Sequence, residues 1–183
     1  MEIKFADLQD AQPILSVLQE HLIDIKNSEV VKNHKNQGFL IRDFSLDQIK
    51  NIISDKTANL VLASKEREEL LGYLIGCRFS NLPKDLQRDI LPCLVKQKIN
   101  LLEQVIYHRQ IAVKSGTKNV GSPLMEKFLQ EAKNASYQYV VCRIIHQPIN
   151  NQKSILFHQR FGFNLIGEVK ENGLVAGVYL NKI

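Results

Sequence analysis

Tryptophan is absent from this chain of 183 residues, and cysteine is scarce: Cys77, Cys93 and Cys142 are the full complement. The number is odd and the spacing matches neither a zinc motif nor a dithiol redox pair, so the sequence carries no disulfide framework and fits a reducing compartment. Long apolar runs are missing as well. Stretches such as residues 70–77 fall far short of a membrane span, and the opening Met1-Glu2-Ile3-Lys4-Phe5-Ala6-Asp7 has no signal-peptide core. The expectation is a cytoplasmic protein with no membrane partner. Net charge is +5, from 24 basic and 19 acidic residues, but no block of consecutive Lys or Arg concentrates it, which argues against a nucleic-acid partner. His21, His34, His108, His146 and His158 form no H-E-x-x-H and no local Cys/His cluster, so no metal site is expected. Two phosphate-binding signatures are also missing: no Gly-Lys-Ser/Thr closes a glycine loop, and no G-x-G-x-x-G occurs.

What is present is an ordinary globular composition, 44% hydrophobic and 23% charged, on a chain long enough for one substantial core. A single domain over residues 1–183 is expected. Its most informative stretch is Ile111-Ala112-Val113-Lys114-Ser115-Gly116-Thr117-Lys118-Asn119-Val120-Gly121-Ser122-Pro123, a β-branched run that passes through a small polar turn. Beyond the turn, Leu124, Met125, Phe128, Leu129 and Ala132 recur on one helical face, with Glu126, Lys127, Gln130 and Glu131 on the other. A strand feeding a helix through a loop of little side-chain bulk makes an anion site. Gly116 and Gly121 admit a ligand close to the backbone, first-turn N–H groups lack intrahelical partners, and Lys118 adds positive charge. Pro123 suits the first helical turn but donates nothing. The same pattern also serves a plain structural turn.

Along the chain, residues 2–5 alternate as a short strand, and residues 7–22 carry one apolar helix face at Ile14, Leu15, Leu18 and Leu22. Residues 30–38 are polar. Ser45-Leu46-Asp47-Gln48 is a capping start for a helix through Ile53. Residues 58–64 and 70–79, joined by the charged Lys65-Glu66-Arg67-Glu68-Glu69, read as a hairpin. Residues 81–102 read as a helical insertion broken near Pro92. Residues 105–113 and 139–145 are strands, 122–135 and 151–160 helices, and 163–169 and 175–180 closing strands around a turn at Asn172-Gly173. His146 falls in a loop on this reading.

The loop and the C-terminal third together resemble the GNAT superfamily of N-acetyltransferases, over residues 4–180. The family's [Q/R]-x-x-G-x-[G/A] loop corresponds to Gly116-Thr117-Lys118-Asn119-Val120-Gly121, with Gly116 in place of the Gln or Arg and Asn119 in place of the first Gly. Asn tolerates the left-handed backbone better than other non-glycine residues. A second segment, Asn151-Gln152-Lys153-Ser154-Ile155-Leu156-Phe157-His158-Gln159-Arg160-Phe161-Gly162-Phe163, is similar to the family's N-x-x-[A/S]-x-x-[F/L]-[Y/H]-x-x-x-G-F. Residues 142–163 are especially similar to a subgroup with Pro-x-Asn and Ser-x-x-Phe-His.

The resemblance implies an α/β (α+β) fold: a mixed, strongly twisted central sheet flanked by helices, with two central strands splayed to form an acyl-CoA cleft. It implies acetyl-CoA as co-substrate, held by Ile111, Ala112, Val113, Gly116, Thr117, Lys118, Asn119, Val120, Gly121, Ser122, Asn151, Ser154, Phe157 and His158. It also implies direct acetyl transfer to a primary amine. His158 stands where many relatives carry the Tyr that protonates the leaving thiolate; it either does so as an imidazolium or merely contacts the cofactor, with Tyr107 as the second acid. Candidate bases are Glu103, His108 and Glu20, in that order, and Arg109 could receive an acidic group on the acceptor. Other open readings are a degenerate acyl-CoA-binding domain and a protein N-terminal or lysine acetyltransferase, with residues 81–102 either walling off a small-molecule pocket or shaping a peptide groove. The acceptor itself is unspecified, and a homodimer is compatible with the sequence.

Overall fold

The computed structural model describes residues 1–24, 38–171 and 173–183. Of the sequence expectations, His34, most of the polar stretch 30–38 and Asn172 of the expected turn lie outside the described residues; Gly173 itself has a φ of 80°.

Seven strands form one sheet: β1 (Glu2–Phe5), β2 (Asn59–Glu66), β3 (Glu69–Arg78), β4 (Val105–Val113), β5 (Tyr139–Gln147), β6 (Asn164–Glu171) and β7 (Leu174–Lys182). Their order across the sheet is β1-β2-β3-β4-β5-β7-β6. Neighbours run antiparallel except β4 and β5, which are parallel. Among the described residues five α-helices flank it: α1 (Ala11–His21), α2 (Leu46–Ser54), α3 (Lys84–Lys96), α4 (Gly121–Asn134) and α5 (Gln152–Arg160).

Local chemistry sets most boundaries. Ser45 caps α2 as its sequence announces: the Gln48 N–H donates to Ser45 Oγ at 3.2 Å, and the Ser45 N–H donates to Gln48 Oε1 at 2.9 Å. The expected helix at 7–22 begins instead with a 3₁₀ turn, Leu8–Asp10, under its own capping box from Asp7. Asp10 is buried there and forms an ion pair with Lys65 of β2, which joins the first helical turn to the sheet. Pro92 does not break α3 as expected. It lies within the helix on the exposed side, where the carbonyl freed by its missing N–H can meet water. His146 is part of β5 rather than a loop: Glu168 Oε1 lies 2.8 Å from its Nδ1 and the Tyr179 hydroxyl 3.0 Å from its Nε2.

Side-chain alternation along the strands divides the interior between the two faces of the sheet. On one face α4 and α5 cover Leu62, Leu74, Ile106, Val140, Cys142 and Tyr179, with Phe128 and Phe163 fully buried among them. On the other, α1 and α2 cover Val61, Ala63, Tyr73 and Ile75, while α3 covers Cys77, Val105, Tyr107, Val141 and Val178. The ladder between β3 and β4 slips by one residue: Ile75 faces Gln110 and Gly76 faces His108, so Arg109 is the extra, bulged residue.

Gly76 gives the Phe128 ring its place on the sheet, since a Cβ at this position would lie 2.4 Å from Phe128 Cε2. Replacing Gly76 with Ala is expected to destabilise the protein by about 1–3 kcal/mol in denaturant unfolding, the usual scale of overpacking. Phe128→Leu in the same chain should recover part of that loss.

Candidate active site

β4 and β5 share only three register positions, Val105 with Tyr139, Ile106 with Val140 and Tyr107 with Val141. Beyond them each strand keeps its other partner, β4 running with β3 to Val113 and β5 with β7 to Gln147. The parallel strands therefore part after Tyr107 and Val141, leaving the edge of β4 from His108 onward unpaired on this side. A cavity of about 760 Å³ fills the opening. Its walls are β4 from His108 to Val113, the loop leading into α4, β5 from Cys142 to Ile145, one side of α5, and residues 38–42.

The loop is held open by contacts from behind. Glu20, near the end of α1, accepts the Ser115 N–H at 2.7 Å, and this bond holds its carboxyl below the ordinary carboxylate range. His21 Nε2 lies 2.7 Å from the Val113 carbonyl, to which it donates. Gly116 and Asn119 have φ values of 82° and 60°, so Asn119 adopts the left-handed conformation that the sequence reading asks of it. Val120 places no side chain over the start of α4. The N–H groups of Gly116, Lys118, Asn119, Val120, Gly121 and Ser122 have no hydrogen-bond partner among the described residues. Several unpaired N–H groups at a helix N-terminus suit a phosphate. Lys118 is exposed and its side chain is not part of the wall.

At the inner end of the cavity two buried histidines meet. His158 of α5 places Nε2 3.1 Å from His108 Nδ1, and its own Nδ1 lies 2.7 Å from the Ser154 carbonyl. A carbonyl only accepts, so His158 carries its proton on Nδ1. In the neutral pair, His158 Nε2 then accepts from His108 Nδ1–H, and His108 Nε2 keeps its lone pair. That Nε2 has no partner among the described residues. Burial pushes His158 down to about 4, and burial together with the neighbouring His158 holds His108 well below the ordinary imidazole range. Both rings are neutral at pH 7.

These positions correct several expectations. His158 is not an imidazolium near neutral pH, and both its nitrogens are engaged, so it is a poor proton donor to a thiolate. Tyr107 points to the opposite face, beneath α3, with burial raising its phenol; it does not line the cavity. Glu103 is exposed on a 3₁₀ turn, Leu102–Gln104, before β4 begins, and does not line the cavity. Glu20 holds the loop backbone rather than facing the reacting end. Residues 81–102 contribute nothing to the cavity wall. Asn151, Ser154 and Phe157 do line it, but Asn151 is also occupied internally. It caps α5 through the Ser154 N–H and donates to the Phe39 carbonyl at 3.0 Å. The fold also gathers a cluster that sequence spacing concealed, with ligand atoms of His108, Cys142 and His158 all within 4.8 Å of one another. Two of its nitrogens are closed on each other, and burial raises the Cys142 thiol, so this arrangement is a histidine pair rather than an open ligand set. Sequence reasoning missed Arg42, Gln110 and His21 as parts of the site. Gln110 ends the polar stretch His108-Arg109-Gln110 just before the β-branched run, and nothing local sets it apart.

No family model matches the chain, and no curated protein matches it. Solved structures do. An N-acetyltransferase from Staphylococcus aureus Mu50 aligns over 99% of this chain and 97% of its own at 18% identity, with a TM-score of 0.67. YncA from Salmonella typhimurium, solved with acetyl-CoA, aligns over 100% and 93% at 17% identity and a TM-score of 0.66. A protein from Desulfovibrio desulfuricans described as a GNAT-family acetyltransferase aligns over 99% and 96% at 12% identity, TM-score 0.61. The chain has the GNAT fold, a mixed seven-stranded sheet flanked by helices.

The histidine pair has a consequence for stability. His158 binds its proton near 4 when folded and near 6.5 when unfolded, so between these values the unfolded chain holds more protons and stability rises with pH. The contribution is full above 6.5 and is lost as pH falls toward 4. Urea unfolding across this window should show the decline, with a shallower slope in His158→Gln.

Proposed function

We propose that the protein is an acetyl-CoA-dependent N-acetyltransferase acting on a primary amine, built as one domain. The observation that carries the reading is the parting of β4 and β5 after Tyr107 and Val141, which joins a loop of unpaired N–H groups to the neutral His108–His158 pair within one cavity. The fold shared with YncA, solved with acetyl-CoA, supports the same choice of co-substrate.

The residues present fit acetyl-CoA. The N–H groups of residues 116–122 receive the pyrophosphate. The free edge of β4, at Ile111 and the Val113 N–H, pairs with the pantetheine amides as an added strand would, the Val113 carbonyl being held by His21. Phe157 and Ser154 of α5 form the opposite wall. Bound in this direction, the thioester lies at the inner end, near His108.

An alkylamine with a pKa near ~10.4 is protonated at neutral pH and must lose a proton to react. His108 Nε2, buried and without a partner among the described residues, is the acceptor in this reading: His108 Nδ1–H already donates to His158, and the remaining lone pair is free once bound substrate or a turn of the ring brings it to the cavity. Ser154 and His158 act as positioning residues: the carbonyl fixes the His158 tautomer, and that tautomer fixes His108. The amine nitrogen then bonds to the acetyl carbon as the carbon–sulfur bond breaks, and the nitrogen gives its second proton to the departing sulfur or to water so that a neutral amide and CoA are left; holding both reactants together supplies much of the acceleration. A thiol of pKa near ~8.5 leaves as its thiolate, so the site functions without an acid at Tyr107 or His158.

Two variants test the reading. A Cβ at Gly121 would make ordinary contacts with Phe157 and Val113 at 3.5 and 3.6 Å, but the branches of Val would fill the space beside the loop. Gly121→Val should therefore stay folded by circular dichroism and lose CoA binding in calorimetry; unchanged affinity would contradict the assignment. His108→Gln should lower turnover of acetyl-CoA by about 10²-fold or more, the usual scale for a general base, with much less effect on CoA affinity.

A further inference from the structure

The floor of the cavity carries positive charge with which no carboxylate pairs among the described residues. Arg42 and Arg109 both line it, and their guanidinium carbons lie 6.0 and 4.7 Å from the centre of the same Phe44 ring. Arg109 is the bulged residue of β4. It adjoins His108 in sequence but leaves the strand on the other face, and the two line one cavity because the sheet is open between β4 and β5. Arg109 Nε is buried and has no hydrogen-bond partner among the described residues. The groups acting on it electrostatically are Arg42, Cys77 and Tyr107, with no carboxylate among them. Glu171, on the same side of the sheet, is committed to Arg143 at 2.9 Å.

The backbone of Arg42 is held in place, while its side chain is exposed. Gln110 donates Nε2–H to the Arg42 carbonyl at 3.1 Å, and its own Oε1 accepts from the Tyr73 hydroxyl at 3.2 Å. The backbone that carries one guanidinium is thus fastened to the strand that carries the other. Burial and the like charge of Arg42 hold Arg109 below the ordinary guanidinium range, which is the cost of such an arrangement without a counter-ion. Planar guanidinium groups with unused donors match carboxylate and phosphate oxygens.

From this pair we infer that the acceptor is a small primary amine that also bears an anionic group, a carboxylate or a phosphate, seated between Arg42 and Arg109 while its amine reaches toward His108. The inference rests on the acetyl-transfer reading for the direction of the amine. The seat itself lies apart from the loop at 116–122.

The test uses the full chain and matched probes: β-alanine against β-alaninamide, and O-phosphoethanolamine against ethanolamine. Dissociation constants come from NMR titrations of both the free and the CoA-loaded protein. The anionic member of at least one pair should bind about tenfold or more tightly than its neutral partner, the scale of a charge-assisted contact. Whether the carboxylate pair, the phosphate pair or both show the preference identifies the anion. In Arg42→Gln and Arg109→Gln, each checked for fold by circular dichroism, the ratio should fall toward one. Equal binding within both pairs, or a preference that survives in both variants, overturns the proposal. Failure of CoA to bind would instead remove the acetyl-transfer reading, and the free-protein titrations would still report the anion preference.

Discussion

The site depends on a limit to strand pairing. β4 and β5 run parallel and share three register positions, while each remains paired along its length with its antiparallel neighbour. Backbone N–H and C=O groups in a protein interior need partners, and a strand edge released inside a sheet is a place for a ligand to supply them. The cavity, the free edge at residues 111–113 and the exposure of residues from both faces of the sheet to one space follow from this parting. So does the direction of the loop at 116–122, since it continues the strand whose edge has been freed.

Within that opening the fold uses neutral and charged groups differently. The imidazoles of His108 and His158 are buried deeply enough to stay neutral, and the Ser154 carbonyl determines which nitrogens hold the protons. The cationic groups are kept to the other face, where Arg42 and Arg109 stack on Phe44. This separation also limits the charge felt by the imidazoles: burial is the largest cause of both shifts, and no arginine is among the causes of either.

Much of the architecture could be read from local chemistry. The Ser45–Gln48 capping pair, the strand read at 105–113 with its β-branched ends and the amphipathic spacing from Leu124 to Ala132 each specify an element through its own residues, and each element forms where expected. The left-handed backbone at Asn119 was legible for the same reason. Alternation also requires Tyr107 and His108 to face opposite sides, but choosing between them needs the partner helix, because only packing shows that α5 brings His158 to His108. The one-residue bulge at Arg109 has no local signature, and neither does the fastening of Arg42 by Gln110, which joins residues 68 positions apart. Pro92 misled the reading because a proline ends a helix less surely when the freed carbonyl lies on the solvent side.

The central claim is that acetyl-CoA occupies the opening between β4 and β5 and draws its hydrogen bonds from the strand edge and the loop beyond it. Amide hydrogen exchange measured with and without acetyl-CoA tests it most directly. The account predicts slowed exchange confined to the amides of residues 111–113 and 116–122, with little change in β2 or α3. Slowing elsewhere with these two segments unaffected, or no change at saturating acetyl-CoA, would contradict it.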